Sequence, residues 1–290
     1  MKNLQELVQA LSAVDRVSAV ALGGSRGLGT ANENSDYDFV VFRAAGEAIP
    51  PAQLADALQP FADAGKISNQ AGFVSAQIAG RKLEIFQKDL NLIEREIQLS
   101  RQGKFRWYIR QLFPHGDLST CRITHLIHLE ICQEHAHCLS RLRQLAWPFP
   151  PPLMRSLAST FLTQTTITLM HARKIRRAEE VQHLVALCSA FVFFSNIVLF
   201  AINRQYPLLE KGNSTLIREF TLRPERYEYR ATTLFKAAAD GALQAVTDEM
   251  AGLQQELGKL VQQALAASVG SAASPAASRN ERNDAPDPGR

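Results

Sequence analysis

The sequence predicts two architectures in one chain: an α/β unit, a small mixed sheet with helices, followed by an all-α helical bundle. Three observations carry this expectation. Over the first hundred or so residues, short apolar runs of strand length alternate with stretches of helical spacing. From 118 to 265 the apolar residues recur at intervals of three and four, the pattern of packed helices. After Ala266 the chain turns to Ala, Ser, Pro, Asp and Arg without large apolar side chains, a composition that cannot bury a core. The resulting division is 1–103 for the α/β domain, 104–117 for a linker, 118–265 for the bundle and 266–290 for a disordered tail.

Leu4, Leu7, Val8, Leu11 and Val14 predict an amphipathic helix over 2–14, and Val17–Leu22 reads as a buried strand. Gly23 and Gly24 then remove side-chain bulk, so that backbone N–H groups can approach an anion, and Ser25 adds a hydroxyl. A Gly/Asn/Ser-rich loop from Gly27 to Asn34 leads into a second strand, Asp36–Phe42. Alternation along it puts Asp36 and Asp38 on one face and Tyr37, Phe39 and Val41 on the other. Pro50-Pro51 opens a helix carrying Leu54, Leu58 and Phe61. A hairpin follows, Phe73–Ala79 and Lys82–Gln87 about a Gly80-Arg81 turn, with Lys82, Glu84 and Phe86 on one face of its second strand. Residues 89–112 read as helix, broken at Phe113-Pro114-His115-Gly116.

The bundle is expected as helices over 119–146, 152–176, 179–204 and 225–265, the first two joined by the proline-rich 148–152. The last carries a seam of Val246, Met250, Leu253, Leu257 and Leu260. Leu184–Asn203 is uncharged and long enough to span a bilayer, but Ser189, Ser195, Asn196 and Asn203 and the lack of a second span favour a buried bundle helix. His125, His128, Cys132 and His135 are read on one helical face, where pairs but not all four can chelate; polar packing is favoured over zinc.

A net charge of +4 on 290 residues does not suggest a surface that wraps nucleic acid. The cysteines Cys121, Cys132, Cys138 and Cys188 lie in helical stretches without a compact extracellular framework, which reads as a reduced, cytoplasmic protein. The first residues, with Glu6 and no long apolar core, do not read as a secretory signal.

Two hard carboxylates beside a glycine turn make a Mg²⁺ site for a nucleoside triphosphate. Strand, Gly23-Gly24-Ser25, loop, then Asp36-x-Asp38 on a second strand resembles the signature of the nucleotidyltransferase superfamily with the DNA polymerase beta-like fold. Among its members the stretch looks most like the bacterial antibiotic adenylyltransferases of the aminoglycoside and lincosamide type. The resemblance implies a third carboxylate on a later strand, matched by Glu84, either as metal ligand or as general base. It also implies two Mg²⁺ ions, ATP as donor, and transfer of AMP to a hydroxyl of an acceptor, most simply a small molecule held by the helical half. Gly24 and Ser25 would meet the triphosphate, and Arg26 reads either as a further phosphate contact or as a solvated side chain. Lys211 reads either as a solvated side chain beside a helix end closed by Gly212 or as a cation reaching the triphosphate. Alternatives are a protein or tRNA acceptor, as in toxin relatives, and a non-catalytic binding module such as an antitoxin. The complete set of acids speaks against the latter. No membrane partner is expected, and oligomeric state is not encoded in any of these features.

Overall fold

The structure, a computed structural model, describes residues 4–270 except 45, 47, 70–72, 111–112 and 209–211, and omits the side chains of 110, 113, 114, 269 and 270. The first amphipathic stretch forms helix α1 (Leu4–Ser12), burying Leu7, Val8 and Leu11. Next come strand β1 (Val17–Leu22), the single helical turn α2 (Gly24–Gly27), strand β2 (Tyr37–Arg43) and helix α3 (Pro51–Leu58). Strands β3 (Ile67–Ser68), β4 (Val74–Ile78) and β5 (Arg81–Asp89) follow, then helix α4 (Leu90–Arg101), capped by the Asp89 carboxylate accepting from the amides of Asn91 and Leu92.

The chain continues through strands β6 (Trp107–Arg110) and β7 (Phe113–Leu118), helix α5 (Cys121–His128), strand β8 (Glu130–Glu134) and helix α6 (Cys138–Ala146). The remainder is helical: α7 (Pro151–Ala172), α8 (Val181–Ile202), α9 (Asn213–Arg218), α10 (Tyr227–Ala239) and α11 (Leu243–Gly270). β6 and β7 make a separate two-stranded sheet, and the main sheet runs β3-β4-β5-β2-β1-β8. Within it β2 and β5 are parallel and the other pairs antiparallel. The mixed sheet and the helical C-terminal region agree with the predicted fold class.

The sheet is apolar on both faces at its centre. Tyr37, Phe39, Val41, Leu83 and Ile85 meet α1 and α3 through Leu7, Leu11, Leu54 and Leu58. Ala19, Ala21, Val40 and Phe42, on the other face, belong to the same continuous core as the helical half. At its centre α8 buries Phe191, Phe194, Ile197, Val198 and Phe200 and packs against α7, α10 and α11. By length and composition α8 is the one described helix that could cross a membrane. Its burial matches the reading as a bundle helix.

Four expectations are corrected. The hairpin turns at Ala79-Gly80, both at positive φ, rather than Gly80-Arg81; this is the pair of left-handed positions that a two-residue hairpin loop demands. The helix predicted over 89–112 ends at Arg101, and the expected linker is instead the β6–β7 hairpin, whose Trp107 ring packs edge-on against Phe161 and Phe194. The helix predicted over 119–146 is helix, strand, helix, because β8 pairs with β1 as the outer strand of the main sheet. The last predicted helix is two, divided at Gly241, and α11 runs on to Gly270, past the expected start of the tail. Residues 271–290 lie outside the described residues.

Candidate active site

The turn after β1 is locked to β2 by its backbone: the Gly23 amide donates to the Asp38 carbonyl at 2.7 Å. Gly24 has φ +58°, and a Cβ built there would lie 1.9 Å from Asp38 Oδ2. Glycine is therefore required twice, for the left-handed backbone and for the room that the Asp38 carboxylate takes up. Gly27 is equally confined, since a Cβ would come within 2.7 Å of the Leu22 carbonyl oxygen and 2.6 Å of that of His128. The Thr30 amide donates to the Ser25 carbonyl at 2.8 Å, which folds the loop back on the turn.

Arg26 is engaged with this loop. Its Nε donates to the Asp36 carbonyl at 3.0 Å and its Nη2 to the Ser35 carbonyl at 2.7 Å, while Cζ lies 3.9 Å from the centre of the Tyr37 ring. The guanidinium thus braces the start of β2, an arrangement different from the phosphate contact expected of it. Lys211 lies outside the described residues.

The parallel register sets the acids. Asp38 stands beside Glu84, with Tyr37 beside Leu83. Paired residues on neighbouring strands point to the same face, so Asp38 and Glu84 share one. Asp36 lies just before β2, two residues ahead of Asp38, as Lys82 lies two ahead of Glu84 on β5. The Lys82 Nζ lies 2.6 Å from Glu84 Oε1, and its side chain is 51% exposed. Its pKa is raised, first by the hydrogen bond to Glu84, then by the charge of Glu84, with smaller additions from Asp36 and Asp38. The ammonium therefore sits in the field of all three carboxylates. Sequence reasoning overlooked Lys82 as a site residue, although its signal was present: it lies two positions before Glu84 on the same strand face.

These residues mark the border between the covered and open parts of the face. Val40 and Phe42, further along β2, are buried in the shared core, whereas Phe86, two residues after Glu84, is 39% exposed and stacks on Phe73. The donors present are hard carboxylate oxygens on adjacent strands, the type Mg²⁺ takes, and an ammonium already stands as their counter-ion. In kind they fit the expected metal. They are not drawn into one centre: among the described residues no group of three or more His, Cys, Asp or Glu side chains is gathered closely enough to hold a metal ion. Asp38 and Glu84 share a register and Asp36 precedes β2, but the three carboxylates expected to form one metal centre are not assembled.

The His/Cys face expected on a single helix is dispersed. His125 Nδ1 meets Lys88 Nζ at 2.8 Å, Cys132 lies on β8, and His135 Nε2 is 3.4 Å from Ser12 Oγ. Burial, together with His125 and Arg143, holds the His128 pKa down, and burial pushes the Cys132 thiol up to about 11. These are packing residues around the end of the sheet.

No curated protein matches the sequence at a significant level. Among solved structures, a nucleotidyltransferase-like protein from Exiguobacterium sibiricum 255-15 is 9% identical, at TM-score 0.43, over 90% of this chain and 78% of that one. The CdnC:HORMA-deltaN complex of E. coli MS115-1 gives 14% identity and TM-score 0.27 over 92% and 89%. The CD-NTase CdnG of Bradyrhizobium diazoefficiens, in complex with GTP, gives 12% and 0.25 over 92% and 91%. All three scores are low, and the assignment rests on the family model described as a nucleotidyltransferase domain, which matches residues 2–114. That span contains the glycine turn, Asp36, Asp38 and Glu84, so over these residues the chain is similar to a nucleotidyltransferase domain.

Proposed function

We propose that this chain transfers AMP from ATP to a hydroxyl of a small-molecule acceptor and releases pyrophosphate. The observation that carries this reading is the register of Asp38 with Glu84 across the parallel pair β2–β5, directly beside a turn whose Gly24 is packed on the Asp38 carboxylate. In it, Asp36 and Asp38 would hold Mg²⁺, two ions, with Glu84 alongside. When bound, the metal supplies charge neutralisation at the phosphates and at the attacking and leaving oxygens.

The chain's own residues do the rest. The backbone of Gly24 and the Ser25 hydroxyl receive the triphosphate at the turn. Glu84 lies one strand further from that turn than Asp38, so the acceptor approaches from the β4 side, opposite the departing pyrophosphate, as an in-line displacement requires. Glu84 takes the proton of the acceptor hydroxyl as its oxygen bonds to the α-phosphorus and the bond to the β-phosphate oxygen opens. The helical half holds the acceptor. Cys121, Cys132, Cys138 and Cys188 are all free thiols, which suits a cytoplasmic setting.

The test separates donor binding from chemistry. ATP with Mg²⁺ should raise the melting temperature of the wild type, since a hundredfold excess over Kd adds about 2.7 kcal/mol. Asp36→Asn/Asp38→Asn should lose most of that shift. Glu84→Gln should keep it, while pyrophosphate release in the presence of a pooled library of hydroxylated compounds falls by roughly 10²–10⁴. An unchanged shift in the double variant would remove the acids from the donor site.

A further inference from the structure

One oxygen of the proposed base already has a partner in the arrangement described. Glu84 Oε1 is held at 2.6 Å by the Lys82 ammonium, so that oxygen is already engaged by a donor. Lys82 itself is poorly anchored. Its side chain is half exposed, on the open part of the sheet face, and an exposed pair on a flexible four-carbon stem is readily exchanged. Two residues before Glu84 on the same strand face and within the field of Asp36 and Asp38, it shares the face on which the donor phosphates would lie.

We propose that Lys82 is a positioning residue with two successive partners. It holds Glu84 while no nucleotide is bound, and it passes to the triphosphate when the donor arrives, which frees Glu84 for the acceptor hydroxyl. In the exchange, cation–carboxylate pairing is replaced by cation–phosphate pairing. No covalent step is involved. The base is thereby uncovered only when there is something to transfer. This inference rests on the transfer reading above, in particular on Glu84 as proton acceptor and on the triphosphate lying across Asp36 and Asp38.

The experiment uses the full chain and the non-transferable donor α,β-methylene-ATP with Mg²⁺, its affinity measured by calorimetry, and Mn²⁺ alone, its affinity measured by electron paramagnetic resonance. Lys82→Met should weaken the analogue roughly tenfold, the scale of one charge-assisted hydrogen bond. It should also tighten Mn²⁺ alone by up to about fivefold, because the resident cation no longer competes. Lys82→Arg should restore most of the analogue affinity. Arg81→Gln makes the same charge change on the opposite strand face and should move neither value. A Lys82→Met chain that binds the analogue as the wild type does would overturn the exchange, and so would an equal loss in Arg81→Gln, which would reveal a general effect of charge. Thermal unfolding of each variant controls for folding. A wild type that binds neither the analogue nor Mn²⁺ would instead bring down the transfer reading itself.

Discussion

At the scale of the residue, Gly24 is the most constrained position in the site. Its left-handed φ alone costs a non-glycine side chain about 1–2 kcal/mol, and the Cβ would also have to displace the Asp38 carboxylate. Gly24→Ala should therefore lower unfolding stability in urea by at least about that amount and abolish the ATP–Mg²⁺ melting shift, while far-ultraviolet circular dichroism stays native. A variant with wild-type nucleotide binding would mean that Asp38 does not need the place it occupies. The acids and the glycine were legible in the sequence because strand alternation fixes which side chains share a face without knowledge of any contact. Arg26 was less so. Its nearness to the turn was evident, but its partners are backbone carbonyls of Ser35 and Asp36, which exist only once the loop has folded back.

At the scale of the element, the Ala79-Gly80 turn carries a correctable strain. Ala79 is exposed with φ +51°, while the Asp63 carboxylate accepts from the amides of Ala79 and Gly80. Ala79→Asn offers a residue that tolerates this conformation and should add about 0.5–1 kcal/mol, read as a higher urea midpoint with an unchanged slope. A fall in the midpoint would show that the turn tolerates alanine for some other reason. The elements that sequence reasoning misjudged divide by cause. The end of α4 and the break between α10 and α11 were signalled by Gly103 and Gly241, each at positive φ just past a helix end. In both cases there is also no room for a side chain, with backbone carbonyl oxygens of Pro152 and Ala178 2.9 Å from a built Cβ. Strand β8 had no such signal. Its residues, Glu130–Glu134, continue the apolar spacing of the helix before them, and only pairing with β1, more than a hundred residues earlier, makes them a strand.

At the scale of the whole molecule, burial of ionisable groups gives the fold a dependence on alkaline pH. Burial pushes the thiols of Cys121 to about 12 and of Cys132 and Cys188 to about 11, and it raises Tyr206 and Tyr227 as well. The Tyr206 hydroxyl donates to the Ala146 carbonyl at 2.9 Å and that of Tyr227 to Asn196 Oδ1 at 2.8 Å, donors that ionisation would remove. Each pKa is higher in the folded chain than in the unfolded one. The stability it contributes is therefore complete below the ordinary thiol value of about 8.5 and is lost as pH rises through 11. The urea midpoint should be level from pH 7 to 8 and fall steadily above 9, and a flat profile to pH 11 would show that these groups are more open to water than the packing implies. The outer neighbour of β1 is drawn from beyond the β6–β7 hairpin and α5, so a recombination joint anywhere between 104 and 129 would give a sheet with a bare apolar edge. The sheet-bearing half cannot be joined to a different helical half as a cassette at any such joint.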